Sequence, residues 1–247
     1  SSTHLKSYHP DEWSTVDTAL RMLLSGQLNP RFFNYPSLTI YLVYAFLKPV
    51  SLFVPLSGES LGQWYVLARL VTVALGTAGV ALTFGLGRRI GSTRLGLATA
   101  GALAVLPLAV VNSHFATVDV PLTTWCTLAL WAAVALAQPT ADRRWLWLGA
   151  VAAGLAAGTK YNGVLVLLPL LLGHALGRRP ALEAVAAVVV AGLVFVASSP
   201  YVFIDPQAWP QIRFELLEHP KASNLFVGVG PGWWFHLRWN LPTAAGT

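Results

Sequence analysis

Long apolar runs, separated by short polar turns, dominate the sequence. A bilayer core about 30 Å thick is crossed by about 20 apolar residues in a helix. Most of the runs approach this length, and the pair that flanks Lys160 is shorter, which predicts a tilted or broken span there. The pattern predicts an all-α, polytopic transmembrane helical bundle with about six membrane helices. The apolar runs are residues 62–87, 95–111, 120–138, 145–159, 161–177 and 184–204.

Three of the turns between these runs are strongly basic. Together they hold seven of the 16 Lys and Arg residues of the chain, and the positive-inside rule predicts that they face the cytoplasm. The alternate connections, which include residues 111–119, the turn at Lys160 and everything after Pro200, are then predicted on the opposite side. The basic turns are residues 87–94, 139–144 and 177–181.

The first 57 residues differ from the rest. Residues 10–24 place apolar side chains at helical spacing, which predicts an amphipathic helix lying on the membrane surface. Residues 36–57 are apolar but interrupted by Lys48 and two prolines, so hydropathy alone allows either a span or a segment in the interface. The apolar stripe of the amphipathic helix is predicted to be Trp13, Val16, Leu20 and Leu23.

Composition supports a membrane protein. Of the 247 residues, 55% are hydrophobic and 11% are charged, whereas soluble domains have about 25% charged residues. The net charge of +6 resides largely in the turns between apolar runs, so it indicates membrane topology and gives no support to a nucleic-acid partner. The chain begins with Ser1, not Met, and we expect it to be part of a longer protein with membrane helices on both sides.

The acidic pair Asp11-Glu12 is the first candidate for chemistry. Two acids at a helix start commonly act as caps that complement the helix dipole. A carboxylate at a membrane surface can also accept a proton from an acceptor hydroxyl, as a general base does. Both interpretations are open from these residues alone.

Charged residues next to the apolar runs supply further candidates, because such charges are costly and usually functional. His114 and Asp119 form either a polar turn or a group that binds a sugar or a metal ion. Lys160 either extends to the interface or binds a lipid phosphate next to Tyr161. Arg69 lies about two turns into its run and needs an acid or a phosphate as partner.

Several of these segments, in this order, resemble the lipid-phosphate-sugar-dependent glycosyltransferases of the GT-C type. That family includes the protein O-mannosyltransferases and the lipid A aminoarabinose transferase. The resemblance covers the N-terminal portion of a typical member. The matching segments are HPDEW (9–13), FNYPSLTIYL (33–42), the Arg-containing run 67–91, SHFATVDVPLTTW (113–125), GLAAGTKYNGVLVLLPLLL (154–172) and SSPYVFIDP (198–206).

The resemblance implies inverting transfer of a sugar from a polyprenyl phosphate on the non-cytoplasmic face of the plasma (inner) membrane. The acceptor would be a protein, a lipid or a glycan. It implies one domain over residues 1–247: an outer loop with juxtamembrane helices (1–57), transmembrane helices (58–204) and the start of a further outer loop (205–247).

The same resemblance implies roles for individual residues. Asp11 is the expected general base, assisted by Glu12. Some relatives carry an acidic-basic pair just before the Pro-aromatic segment, where this chain has Asn34-Tyr35 and so lacks a metal ligand or a phosphate-binding Lys at that place. No cofactor is certain, and a divalent metal ion is a candidate. The other expected site residues are Lys160, Arg69 and Tyr161 for the donor phosphate, and His114, Asp119 and Tyr35 for the sugar or acceptor.

Two other functions fit the same pattern. A transporter or lipid flippase would also place Arg and Lys among helices broken by Gly and Pro. A non-catalytic membrane scaffold would tolerate the loss of Asp11, Asp119 and Lys160 together. The chain contains no P-loop, GxGxxG, GxSxG or HExxH pattern, so chemistry on soluble nucleotides has no support.

Overall fold

The structure is a computed structural model that describes residues 9–55, 60–218 and 238. The described residues form helices and turns, without strands. A 3₁₀ turn, Tyr161–Val166, precedes α8, and a π turn, Phe214–Glu218, follows α11. The helices are α1 Glu12–Ser25, α2 Leu38–Val50, α3 Leu61–Ile90, α4 Thr93–Val105, α5 Pro107–Ser113, α6 Asp119–Leu136, α7 Arg144–Thr159, α8 Leu167–Leu176, α9 Ala181–Ser198, α10 Tyr201–Ile204 and α11 Ala208–Arg213.

Helices occupy all six of the predicted apolar runs, and the all-α membrane fold is confirmed. By length and composition, α3, α6 and α9 can each cross a bilayer, and α4 with α5 makes a fourth candidate span in the described chain. This pair is bent by 61° at Leu106, which is extended because Pro107 disfavours a helical conformation in the preceding residue. The break predicted at Lys160 is present, between the short helices α7 and α8.

Small residues let the helices of the bundle approach closely, as lipid-embedded packing requires. Helix α7 packs against α6 and α9 through a face of alanines and glycines. A Cβ added at Gly154 would lie 2.5 Å from the carbonyl oxygen of Ala191 in α9. At Gly173 of α8, a Cβ would collide with the carbonyl of Ala133 in α6. These two glycines therefore fix the distances between the central helices.

The three basic turns meet at one end of the bundle. The guanidinium groups of Arg89 and Arg144 lie over the ring of Trp145, 5.8 Å and 5.9 Å from its centroid. Arg179, from the third turn, donates a hydrogen bond to the carbonyl of Ala141 in the second. Lys160 and Asp119, which end α7 and begin α6, lie at the opposite end of those helices. The bundle therefore has one basic end and one mixed polar end.

Helices α1 and α2 pack on α3 and on each other near the polar end, around Val16, Leu20 and Trp64. Helix α2, with 13 residues, is too short to span a bilayer. The predicted stripe of α1 is wrong at Trp13, which is 43% exposed and meets Phe32 edge-on. The buried face is rotated toward Glu12 and Met22, because a salt bridge draws Glu12 inward.

Candidate active site

Lys160 lies where α7 stops and the 3₁₀ turn begins. Its backbone is extended, with φ −150° and ψ 135°, which breaks the helix and turns the side chain toward α6. The Nζ atom lies 3.3 Å from Oδ1 of Asp119 and 5.5 Å from the centroid of the Tyr35 ring. Both members of the ion pair are partly exposed, so the pair is accessible from outside the protein.

Tyr35 connects this pair to the acidic start of α1. Burial raises the pKa of the Tyr35 hydroxyl to about 12. The hydroxyl therefore keeps its proton even in moderately alkaline solution and can donate a hydrogen bond. The three carboxylates whose negative charges add to this increase are Asp11, Glu215 and Asp119. Three segments that are far apart in the sequence therefore place negative charge near one tyrosine.

Asp11 and Glu12 are adjacent in sequence but differ completely in environment. Asp11 occupies the N-cap position of α1, and its exposed side chain makes no capping hydrogen bond. Its backbone N–H donates to Nδ1 of His9, 3.2 Å away. Glu12, the next residue, is fully buried. The capping hydrogen bond that the sequence allowed for the Asp11 side chain is therefore absent, and its carboxylate faces outward.

Glu12 forms a buried, bidentate salt bridge with Arg69. Arg69 Nε and Nη2 donate to the two carboxylate oxygens of Glu12 at 2.7 Å and 2.8 Å. The backbone N–H of Ala116 donates to the same carboxylate at 3.0 Å. Arg69 therefore has an acid as partner, one of the two partners expected from the sequence. The carboxylate joins α1, α3 and the loop before α6.

The structure places His114 and Tyr161 at the margins of this group. The His114 ring donates to the carbonyl oxygen of Val110 in the preceding turn, 2.6 Å away, and the residue is otherwise exposed. The Tyr161 hydroxyl donates to the carbonyl of Phe33 at 2.8 Å. Tyr161 thus fixes the loop that carries Tyr35.

A second set of contacts, which no sequence pattern predicted, joins the loop after α1 to the segment after α10. The side-chain amide of Asn34 donates to Glu215 at 3.2 Å, and the Phe33 N–H donates to the Gln211 side chain at 2.9 Å. The Phe33 ring packs with Ala208 in α11. The partners are about 180 positions apart, so no local pattern could have revealed them.

This inter-loop contact is predicted to weaken in acid. The Asn29 amide donates to Asp205 at 2.7 Å and lowers the pKa of Asp205 below its ordinary 3.8. The contact is therefore complete above pH 3.8 and is lost as the pH falls through the lower, folded-state pKa. We expect hydrogen exchange of residues 27–34, corrected for intrinsic rates, to increase as the pH falls from about 5 to about 2. An Asp205→Asn variant should lack this acid-dependent increase, and an identical increase in the variant would contradict it.

Among the described residues, no group of three or more His, Cys, Asp or Glu side chains is arranged to hold a metal ion. The start of the predicted final outer loop, residues 205–247, is described to Glu218 and at Arg238; residues 1–8, 56–59, 219–237 and 239–247 lie outside the described residues. A divalent metal ion stays a candidate that only the sequence indicates.

These features define a helical integral membrane protein with a polar, charged site at one end of its bundle. Residues 37–204, more than half of the chain, match the family described as dolichyl-phosphate-mannose-protein mannosyltransferase. The chain belongs to that family of membrane glycosyltransferases, which confirms the resemblance seen in the sequence. None of the curated proteins matches it.

Two solved structures share the fold, both of ArnT from Cupriavidus metallidurans. The apo form has 22% identity and a TM-score of 0.61, and its match covers 96% of this chain. The form bound to undecaprenyl phosphate has 23% identity and a TM-score of 0.55, and its match covers 81% of this chain. The matches cover 43% and 40% of the ArnT chains, so this sequence spans less than half of their length.

Proposed function

We propose that the protein transfers a glycosyl group from a polyprenyl-phosphate sugar to an acceptor at the non-cytoplasmic face of the membrane. The observation that carries this proposal is the ion pair of Lys160 with Asp119 beside the ring of Tyr35, a tyrosine on which the negative charge of Asp11 also acts. A cation, an outward-facing carboxylate and a neutral hydroxyl are the groups that direct displacement at a sugar phosphate needs. ArnT with bound undecaprenyl phosphate supports the class of donor.

In the proposed reaction, Asp11 accepts the proton of the acceptor hydroxyl. The acceptor oxygen bonds to the anomeric carbon as the bond to the phosphate oxygen breaks, with inversion, and the electron pair leaves with the phosphate. Lys160 stabilises the negative charge that grows there, which favours the transition state over the ground state. Asp119 holds Lys160 in place, and the Tyr35 hydroxyl donates to the phosphate or to the sugar.

For Glu12 and Arg69 we propose a positioning role, in place of the catalytic and phosphate-binding roles expected from the sequence. Their bidentate pairing and the complete burial of Glu12 support this change. The pair holds the first turn of α1 on α3, and it thereby fixes the direction of Asp11. His114 and Tyr161 are proposed to bound the site.

The side of the membrane is inferred from the distribution of charge. The three basic turns contact one another at the end of the bundle away from Lys160. Loops rich in Lys and Arg usually lie on the cytoplasmic side of a membrane protein. In a plasma (inner) membrane the proposed site would then face outward, where soluble nucleotide sugars are absent and a lipid-linked donor is required.

The proposal is tested with the purified full-length enzyme, a radiolabelled polyprenyl-phosphate mannose and acceptors from the cell envelope. We expect Lys160→Gln to lower turnover about 10²–10³-fold, by analogy with the removal of a group that stabilises a developing oxyanion. The matched control is Lys48→Gln. Lys48 also lies 5.5 Å from a tyrosine ring, that of Tyr44, but at the far end of α2.

The control variant should retain wild-type transfer. Equal rates for Lys160→Gln and wild-type would contradict the proposed role of Lys160. A lipid-linked sugar that crosses the membrane without a covalent product would favour the transporter or flippase.

A further inference from the structure

The three basic turns carry more positive charge than their own acids neutralise. Counted through Glu183, they contain seven arginines and two acids, which leaves a surplus of five positive charges. Glu183 pairs with Arg143 at 2.9 Å, and Asp142 pairs with Arg144 at 3.6 Å. In the part of the chain that the structure describes, no carboxylate lies within ion-pair distance of the other five arginines, which are Arg88, Arg89, Arg94, Arg178 and Arg179.

A layer of aromatic rings holds two of the arginines near each other. The guanidinium groups of Arg89, in α3, and Arg144, in α7, both lie within 6 Å of the Trp145 ring centroid, so they are at most about 12 Å apart. The Trp145 ring contacts the Trp131 ring of α6, with 5.3 Å between the centroids. Trp131 lies against α3, where a Cβ added at Gly85 would come within 2.6 Å of it. Three helices therefore build one surface of indole rings and guanidinium groups.

This arrangement of positive charge is unfavourable unless an anion accompanies it. Like charges repel each other at this separation. Arg143 and Arg144 also occupy the start of α7, where the helix dipole disfavours positive charge. Membrane topology requires only that the turns are basic, and it does not require that they contact one another. The contacts therefore point to an anion that binds at this end of the bundle.

The position of the surface in the membrane favours a phospholipid as that anion. Helices α3 and α9, which end and begin in the basic turns, are each long and apolar enough to cross a bilayer. Tryptophan side chains concentrate at the level of the lipid headgroups, so Trp131 and Trp145 are expected at that level. Ile90, which follows Arg89, is 61% exposed, and Leu148 on α7 is 40% exposed. A ligand with an anionic head and a hydrocarbon tail would contact both kinds of side chain.

We propose that the basic end of the bundle binds an anionic phospholipid of the surrounding leaflet. Phosphate oxygens of the headgroup accept hydrogen bonds from Arg89 and Arg144, since guanidinium groups match the geometry of phosphate. The acyl chains lie along the exposed apolar side chains of α3 and α7. The surface is at the end of the bundle opposite Lys160, so the inference does not depend on the proposed function, and the lipid is not the sugar donor.

The first test measures lipid binding by native mass spectrometry of the full-length protein in detergent. The probes are phosphatidylglycerol, which is anionic, and phosphatidylcholine, which has no net charge. We expect phosphatidylglycerol to bind to wild-type at least about tenfold more tightly than phosphatidylcholine. Replacing Arg89 and Arg144 together with Gln should weaken the binding of phosphatidylglycerol about ten- to thirtyfold, because each arginine at an anionic surface contributes about fivefold. Equal binding of the two lipids by wild-type would overturn the proposal.

The matched control removes two positive charges at the polar end, as Arg31→Gln with Lys48→Gln. Both residues are exposed, and Lys48 lies 5.5 Å from the centroid of the Tyr44 ring, so the control also loses a cation above an aromatic ring. It should bind phosphatidylglycerol as wild-type does. Arg89→Lys with Arg144→Lys, which keeps both charges, should retain most of the binding. If the Arg89→Gln, Arg144→Gln variant bound phosphatidylglycerol like the control, the proposed surface would be wrong.

The second test needs no substitution. Phosphatidylglycerol with a photoreactive diazirine near the glycerol is added to wild-type protein in phosphatidylcholine nanodiscs, cross-linked and mapped by mass spectrometry. We expect labels in residues 85–94 and 143–148, and displacement by unlabelled phosphatidylglycerol but not by added phosphatidylcholine. Labels spread evenly around the bundle, or confined to its polar end, would contradict the proposal. Displacement of the label by an RNA or an acidic peptide, but not by phosphatidylglycerol, would assign the surface to another partner and would also overturn it.

Discussion

Replacing Asp11 with Asn should lower the rate of glycosyl transfer about 10²–10⁴-fold, the usual contribution of a general base. The substitution keeps the size and the N-cap position of the side chain but removes its ability to accept a proton. Because the side chain is exposed and makes no capping bond, the fold should be unaffected. Turnover would be measured with polyprenyl-phosphate mannose, and donor affinity by binding of polyprenyl phosphate, which should be unchanged.

The matched control for this substitution is Asp142→Asn. Asp142 is also exposed, with 58% of its side chain accessible, and it makes a surface ion pair with Arg144 near the basic end of the bundle. Transfer by this variant should equal that of wild-type. If Asp11→Asn transferred sugar at the wild-type rate, the base would have to be another carboxylate, and Asp119 or Glu215 near Tyr35 would be examined next.

Hydrophobic length predicted the bundle because the bilayer imposes a strong constraint on helix length. The run 62–87 corresponds closely to α3, Leu61–Ile90, and the short runs around Lys160 correspond to two separate helices. The bend at Leu106 was not predicted, although Pro107 signals it locally. The sequence pattern predicted about six membrane helices, whereas three helices and one bent pair among the described residues are long and apolar enough to cross a bilayer. The two numbers differ partly because α7 and α8 are short.

The site was predictable only in part. Charges flanking apolar runs indicated Asp11, Asp119 and Lys160, because isolated charges are costly there. That Asp11 is exposed and Glu12 is buried could not be predicted from two adjacent acids. Rotation of α1 about its axis decides which of them faces Arg69, and that rotation depends on packing against α2 and α3.

Glu12→Gln should destabilise the protein by about 3–5 kcal/mol, the usual cost of removing one partner of a buried ion pair. Gln removes the negative charge that faces the Arg69 guanidinium, which is 19% exposed. Thermal unfolding of the detergent-solubilised protein measures the loss. Arg143→Gln is the control, because it breaks a pair in which Arg143 is 74% exposed, and it should cost less than about 1 kcal/mol.

A double variant separates the structural contribution of this pair from a chemical one. Replacing both members together, as Glu12→Leu with Arg69→Met, removes both charges and leaves an apolar contact, which is often neutral for stability. The Ala116 N–H then loses its acceptor, so recovery should be incomplete. If Glu12 only positions Asp11, transfer should return with stability. A double variant that folds like wild-type but transfers no sugar would show that Glu12 or Arg69 takes part in the chemistry itself.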